Sequence, residues 1–146
     1  MKTAAHILKS KANQTIHKIT PEASVFDAVK LMADKDIGAL LVMAGTKVAG
    51  IITERDYSRK IALMSRSSKE TRVREIMTSD VLYVRPERTS DECMALMTEN
   101  RLRHLPVMDG GQLIGLISIG DLVKATISEQ QFIIEQLEHY ISGQRD

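Results

Sequence analysis

The chain has 146 residues, of which 43% are hydrophobic and 27% charged, and its 20 basic and 19 acidic side chains leave a formal charge of +1. The composition is that of an ordinary globular protein, and the charge balance argues against nucleic acid as a partner, because nucleic-acid binding needs a concentrated basic face. The longest uncharged apolar run, Ile37–Ala44, is too short to cross a bilayer, so we expect no membrane partner either. The single cysteine excludes an intrachain disulfide framework and favours a cytoplasmic location.

The second half of the chain repeats the first. Pro21–Asp56 aligns with Pro86–Asp121 without a gap at a constant offset of 65, and 11 of the 36 aligned pairs are identical. Unrelated segments of average composition match at only about 2 such positions, at roughly 6% each. The sequence therefore predicts an internal duplication, and two copies of a small unit form a cleft that can bind a ligand.

The first copy contains, in chain order, an extended segment, a helix, two strands joined by a glycine turn, and a second helix. Pro21 ends the extended segment, and Ser24 followed three residues later by Asp27 is the pattern of a helix N-cap. The predicted elements are the segment Ile16–Thr20, a helix beginning at Val25, the strands Ala39–Ala44 and Val48–Thr53, and the helix Glu54–Met64.

The second copy repeats this order, with Thr89 and Glu92 at the N-cap of its first helix. Cys93 aligns with Ala28 on the inward stripe of that helix, which favours a buried structural thiol over a nucleophile. The later elements are the strands His104–Met108 and Leu113–Ser118, the helix Ile119–Ser128, and a polar connector between the copies at 65–74. The sequence thus predicts an α/β fold of the α+β type, with two β-α-β-β-α units.

A hydroxyl residue and an aspartate three positions later stand at each strand-to-helix junction: Thr53 with Asp56, and Ser118 with Asp121. One interpretation is a capping box, which needs no ligand. The other is a ribose-phosphate site, because a helix N-terminus attracts phosphate and a carboxylate can accept both hydroxyl groups of a ribose. Taken alone, either junction favours plain capping, and both interpretations stay open.

The whole repeated pattern, P-x-x-[ST] through G-h-h-[ST]-x-x-D, resembles a pair of cystathionine β-synthase (CBS) motifs, the tandem arrangement called a Bateman module. The resemblance implies CBS motifs at 12–70 and 71–128 with pseudo-twofold symmetry. It leaves outside the match an N-terminal segment at 1–11 and a C-terminal amphipathic helix at 129–146. Members of this family bind adenine nucleotides (AMP, ADP or ATP, and sometimes NAD or S-adenosylmethionine) in the two clefts between the motifs.

The resemblance also implies residue roles. Asp56 and Asp121 would hold the ribose hydroxyl groups, and Thr53 and Ser118 would reach ribose or α-phosphate, while adenine would meet backbone near Ile16–Lys18 and Ser79–Val81. Comparing the copies adds Arg55 as a phosphate contact at one site, and Arg103 and His104 as two cationic candidates at the other. The complete predicted set is Ile16, Lys18, Gly38, Ala39, Thr53, Arg55, Asp56, Ser79, Val81, Arg103, His104, Pro106, Ser118 and Asp121.

These features favour a regulatory sensor module that binds an adenine nucleotide and acts on an unidentified partner protein, with no catalytic or metal site of its own. No metal-ligand or nucleophile-elbow motif occurs in the sequence, which argues against an enzyme. The alternative is an interaction or oligomerisation module without a ligand. Lys9, Lys11, His17 and Lys18 form a mildly basic stretch that we interpret as solvated surface.

A last helix, Ser128–Ser142, carries apolar side chains on one face, and this face needs a partner surface. Two alternatives remain: the face packs back onto its own domain, or it forms the interface of a homodimer, to which Ala4–Leu8 could contribute. The apolar residues of this face are Phe132, Ile133, Leu137, Tyr140 and Ile141.

Overall fold

The computed structural model describes residues 2–11 and 14–142, with the backbone alone for the last two. The chain forms two compact units. One is built from residues 15–82 with 110–114, and the other from the N-terminal segment up to residue 14, residues 83–109 and the chain from 115 onward. We call them the first-repeat unit and the second-repeat unit, because each contains the main elements of one copy.

The elements follow the predicted chain order, apart from the differences described below, and include two short helices that the sequence did not predict. They are α1 (Ala4–Ser10), β1 (Lys18–Ile19), α2 (Val25–Lys35), β2 (Ala39–Ala44), β3 (Lys47–Thr53), α3 (Glu54–Tyr57), a π-helical turn (Ser58–Ala62), α4 (Val73–Ile76), α5 (Ser90–Asn100), β4 (His104–Asp109), β5 (Gln112–Ser118) and α6 (Ile119–Ser142).

The sheets are small. In the first-repeat unit β1 runs parallel to β2, with Lys18 opposite Leu41, and β2 pairs with β3 antiparallel, with Ala39 opposite Thr53. The strands β4 and β5 form a two-stranded sheet. Val84 makes a single parallel bridge to Val107, at the position that Ile19 and Val42 occupy in the first copy.

Each unit has its own hydrophobic core, and the two cores use equivalent positions of the repeat. In the first-repeat unit the core consists of Val25, Ala28, Met32, Leu40, Val42, Ile52, Ile61, Val73 and Ile76. In the second-repeat unit it consists of Ala4, Ile7, Val84, Cys93, Met97, Leu105, Val107, Ile117, Leu122 and Ala125. Cys93 is fully buried, as the sequence predicted for a structural thiol.

The two unpredicted helices, α1 and α4, are equivalent, and each belongs to the unit of the other repeat. In the second-repeat unit the N–H of Ala4 donates to Arg88 O at 2.8 Å, and in the first-repeat unit the N–H of Val73 donates to Ala23 O at 2.8 Å. The two acceptor residues, Ala23 and Arg88, are 65 positions apart, which is the repeat offset. The two donor residues, Ala4 and Val73, are 69 positions apart. The duplication therefore extends to these helices, through a connector that is four residues longer in the first copy.

Three local expectations were wrong. The predicted helix Glu54–Met64 is interrupted by the π-helical turn, where the N–H of Leu63 donates to Ser58 O at 3.0 Å and Ile61 is buried in the core. The polar connector at 65–74 contains the start of α4, whose Val73 is fully buried. The chain has no helix boundary at Ser128, because α6 is continuous for 24 residues.

Candidate functional site

The first-repeat junction between β3 and α3 is a complete capping box. Asp56 Oδ2 accepts from the Thr53 N–H at 3.0 Å and from the Thr53 hydroxyl at 3.1 Å, and Thr53 Oγ1 accepts from the Asp56 N–H at 3.1 Å. The other carboxylate oxygen, Oδ1, lies 3.3 Å from Lys60 Nζ, which also donates to Ile76 O at 2.8 Å. The aspartate side chain is 14% exposed and so remains partly open to solvent.

The second-repeat junction between β5 and α6 has the same arrangement. Asp121 Oδ2 accepts from the Ser118 N–H at 2.8 Å, and Ser118 Oγ accepts from the Asp121 N–H at 3.1 Å. A lysine is again present, because Lys11 Nζ lies 3.0 Å from Asp121 Oδ2 and donates to Leu116 O at 2.9 Å. The Asp121 side chain is 18% exposed.

Lys11 is therefore not the solvated surface residue that the sequence suggested. It is the C-cap residue of α1, and its side chain is paired with the aspartate of the second copy. The sequence carried a signal for Lys60, which stands one helical turn after Asp56. It carried none for Lys11, because 110 residues separate Lys11 from Asp121 and α1 lies outside the gapless alignment.

Two groups at the second-repeat junction, Asp121 and His104, have shifted pKa values. Burial by itself raises the pKa of Asp121, but the hydrogen bond from the Ser118 N–H and the Lys11 ammonium group outweigh it, and the pKa lies below its ordinary value of 3.8. Burial lowers the pKa of His104 below 6.5, against the opposing effect of Asp121. The lowered pKa favours the neutral imidazole of His104 near pH 7, and its part in a binding site stays a prediction.

The lowered pKa of Asp121 makes a pH-dependent contribution to stability. Because the folded chain binds this proton less readily than the unfolded chain, the stabilisation is present above about pH 4 and is lost as the pH falls through the lower folded value. We expect the free energy of unfolding of the wild type to fall relative to that of Asp121→Asn between about pH 4 and pH 2. Urea denaturation across this range measures the difference, and parallel pH profiles for the two proteins would contradict the expectation.

Several of the other predicted residues contact these junctions through backbone hydrogen bonds or strand pairing. Gly38 O accepts from the Glu54 N–H at 3.0 Å, and Arg103 O accepts from the Ile119 N–H at 2.8 Å, so the residues before β2 and β4 lie against the first turns of α3 and α6. Ala39 pairs directly with Thr53. The Arg55 and Arg103 side chains are exposed, and neither makes an ion pair within the described residues.

The remaining predicted residues lie elsewhere in their units. Ile16 is half-buried just before β1, and Lys18 is exposed on β1. Ser79 and Val81 follow the bridge between Thr78 and Ile51 of β3, and the Val81 N–H donates to Ser79 O at 3.0 Å. Pro106 is buried in β4, and its carbonyl accepts from the Val84 N–H at 3.0 Å. Ligand contact by these residues stays a prediction.

The described residues contain no cluster of three or more His, Cys, Asp or Glu side chains that could hold a metal ion. In the same part of the chain, no helix combines the length and the apolar character that crossing a membrane requires.

The family of the chain follows from two matches to the CBS domain model, at residues 7–63 and 73–128. The chain belongs to the CBS domain family and carries two copies of the domain, with a mixed α+β fold. Its relatives include CBS domain-containing proteins, one of them a solved protein named for signal transduction, and the chain is a CBS-domain pair.

Three relatives show what this chain is similar to. A solved CBS-domain protein from Burkholderia ambifaria MC40-6, named for signal transduction, is 62% identical with a TM-score of 0.85, and the match covers 88% of this chain and 96% of that one. The CBS domain-containing protein CBSX3, mitochondrial, of Arabidopsis thaliana is 42% identical over 97% of this chain and 72% of its own length. CBSX2, solved in complex with AMP, is 25% identical with a TM-score of 0.73, over 88% of this chain and 98% of that one.

Proposed function

We propose that this chain is a sensor module that binds an adenine nucleotide at the Thr53–Asp56 and Ser118–Asp121 junctions and catalyses no reaction itself. AMP is the first candidate, because the related CBSX2 was solved with AMP, and ADP, ATP and NAD are the next. The ligand stabilises the conformation that binds it best, and a partner protein or a second copy of the chain responds to that conformation.

The chemistry of each junction suits a ribose phosphate. The positive end of the α6 dipole favours a phosphate, and the Ser118 hydroxyl, whose oxygen accepts from the Asp121 N–H, can donate to it. At the first-repeat junction the Thr53 hydroxyl donates to Asp56 and would have to turn from it to reach a ligand. The carboxylate can accept hydrogen bonds from the two ribose hydroxyl groups. Asp121 Oδ1 makes no hydrogen bond within the described residues and is therefore available for this role.

The observation that carries the proposal is the contrast with the other caps of the same chain. Thr89 and Glu92 form a capping box as well, but Glu92 is exposed and pairs only with Arg88 of its own segment. Asp56 and Asp121 are mostly buried instead, and each is paired with a lysine that is also bound to a backbone carbonyl. The capping-box carboxylates of Glu75 and Glu92 also pair with a cation, but both are exposed. The burial of Asp56 and Asp121, and the lysine held on a backbone carbonyl beside each, are therefore what favour a ligand site.

A homodimer is the second part of the proposal, and it would also serve an interaction module that has no ligand. The side chains of Phe132, Ile133, Leu137 and Tyr140 on α6 are exposed, so the face that they form does not pack back onto the described chain. Ala4 and Ile7 are buried in the second-repeat core, so any contribution of Ala4–Leu8 to such an interface would come from its other residues. The cytoplasmic location also stays a proposal, and the mitochondrial name of CBSX3 is a statement about that relative alone.

A melting-temperature screen tests the ligand proposal. We expect AMP, ADP, ATP or NAD to raise the melting temperature with increasing concentration, because a ligand that binds only the folded chain stabilises it by about 2.7 kcal/mol at one hundred times Kd. GMP serves as a control for phosphate and ribose without adenine. The absence of a shift with every adenine nucleotide at millimolar concentration would contradict the proposal and favour the interaction module.

A further inference from the structure

The side chain of Lys11 is held in place at the second-repeat junction. The helix α1 that ends before it is anchored by Ala4 and Ile7, which are buried, and the N–H of Ala5 donates to Pro86 O at 3.0 Å. The ammonium group is bound by Asp121 Oδ2 at 3.0 Å and by Leu116 O at 2.9 Å, and the side chain is 25% exposed. An ammonium group has three donors, so one N–H of Lys11 remains without a partner among the described residues.

The two aspartates are duplicated, but the lysines that face them are not. The 69-residue offset between α1 and α4 places Asp80 at the position of Lys11, and the repeat offset of 65 places the buried Ala125 at the position of Lys60. The π-helical turn, which puts Ile61 into the core, leaves Lys60 outside it and beside Asp56. The two copies therefore place a lysine beside the duplicated aspartate from two unrelated segments.

The hydrogen bond that defines each cap, from the Thr53 or Ser118 N–H to the carboxylate, is complete without the lysine. Each ammonium group also donates to a backbone carbonyl, which holds it at the junction, and Lys11 is the less exposed of the two lysines. The partly exposed ammonium group can bind an anion, and the carboxylate beside it can accept hydrogen bonds from hydroxyl groups. This combination matches a ribonucleoside that carries a phosphate.

We propose that Lys11 is a ligand-binding residue of the second-repeat site, where it remains on Asp121 and donates its third N–H to the phosphate of the nucleotide. The proposal rests on the proposed function of this junction. It makes Lys11 the residue that distinguishes a nucleoside phosphate from the bare nucleoside. Asp121 serves both ligands through the ribose, so the two residues have separable effects.

Calorimetric titration of AMP and of adenosine tests this assignment in an Asp56→Asn background, in which the second-repeat site is measured. We expect Lys11→Met to weaken AMP binding about tenfold or more, because a hydrogen bond to a charged group is lost, and to change adenosine binding less than about threefold. Lys11→Arg should retain most of the AMP affinity. Lys9→Met is the matched control, since Lys9 is an exposed lysine two residues earlier, and it should leave both affinities unchanged.

An equal loss of AMP and adenosine affinity in Lys11→Met would overturn the proposal and make the ion pair purely structural, and so would an unchanged AMP affinity. If Lys11→Met does not fold, Lys11→Gln, which keeps a side-chain donor but removes the charge, carries the same comparison. It should weaken AMP binding more than adenosine binding, and an equal effect on the two ligands would overturn the proposal. If the wild-type chain binds neither ligand, the proposed function itself fails, and the role of Lys11 fails with it.

Discussion

A chain that ends at Glu129 is expected to be a monomer, whereas the full chain is expected to be a dimer. The last core residue of α6 is Ala125, and Glu129 still contacts the body of its unit, because its carboxylate accepts from the Lys2 N–H at 2.9 Å. Beyond that residue α6 continues to Ser142, over about 20 Å at 1.5 Å per residue. The apolar side chains of this extension are open to solvent, with Phe132 62% and Leu137 55% exposed. A contiguous exposed apolar surface of this kind marks an interaction site, and a second copy of α6 is the occupant that we propose.

Sedimentation velocity at micromolar concentration measures this change. The double substitution Ile133→Glu and Leu137→Glu should give the same monomer, because charge on the apolar face opposes its burial. The matched control is Gln131→Glu with Gln136→Glu, which adds the same charge to the same helix at polar residues and should keep the dimer. A full chain that sediments as a monomer, or a truncated chain that stays dimeric, would contradict the proposed interface.

Asp56→Asn and Asp121→Asn are each expected to weaken AMP binding at their own junction by about tenfold or more, because charge-assisted hydrogen bonds to the ribose are lost. The cost to folding should be smaller. Asparagine keeps an oxygen that can accept from the Thr53 or Ser118 N–H, so the cap survives and only the contact with the lysine is lost. A destabilisation of about 1 kcal/mol is the expected size for Asp121→Asn, whose side chain is mostly buried.

Glu92→Gln is the matched control for these variants. It makes the same chemical change in the capping box at Thr89, which has no neighbouring lysine from outside its own helix turn. This variant should leave AMP affinity unchanged. If the aspartate variants behave like Glu92→Gln, with a small loss of stability and intact binding, both junctions are plain helix caps.

The sequence predicted those parts of the fold that come from strong local patterns. The offset of 65, the strand Ala39–Ala44 and the cap at Thr89 all follow from features within a few residues of each other, and the structure confirms them. The pairing of hydroxyl and carboxylate at both junctions was also predictable, because the capping-box spacing fixes it locally.

The exchange of α1 and α4 between the units was not predictable in the same way. The helix α4 has four residues, which is about one turn and too short for an apolar period to be recognised. The four additional residues of the first connector also break the gapless alignment before it reaches α1. The position of Lys11 depends on this exchange, which is why the sequence assigned it to the surface.

The remaining errors have physical causes that involve more than one element. The π-helical turn places Ile61 in the core and leaves the neighbouring Lys60 outside it, because burying the apolar side chain is favourable. The lowered pKa of His104 comes first from its burial, against the opposing charge of Asp121, and no spacing in the sequence reveals either.

The central claim, that the two junctions bind an adenine nucleotide through their aspartates, is tested most directly by calorimetric titration of AMP into the wild-type chain and into the double variant Asp56→Asn/Asp121→Asn. We expect saturable binding heat for the wild type and none at the same concentrations for a folded double variant. Equal binding by the two proteins, or no binding by the wild type at millimolar AMP, would contradict the claim.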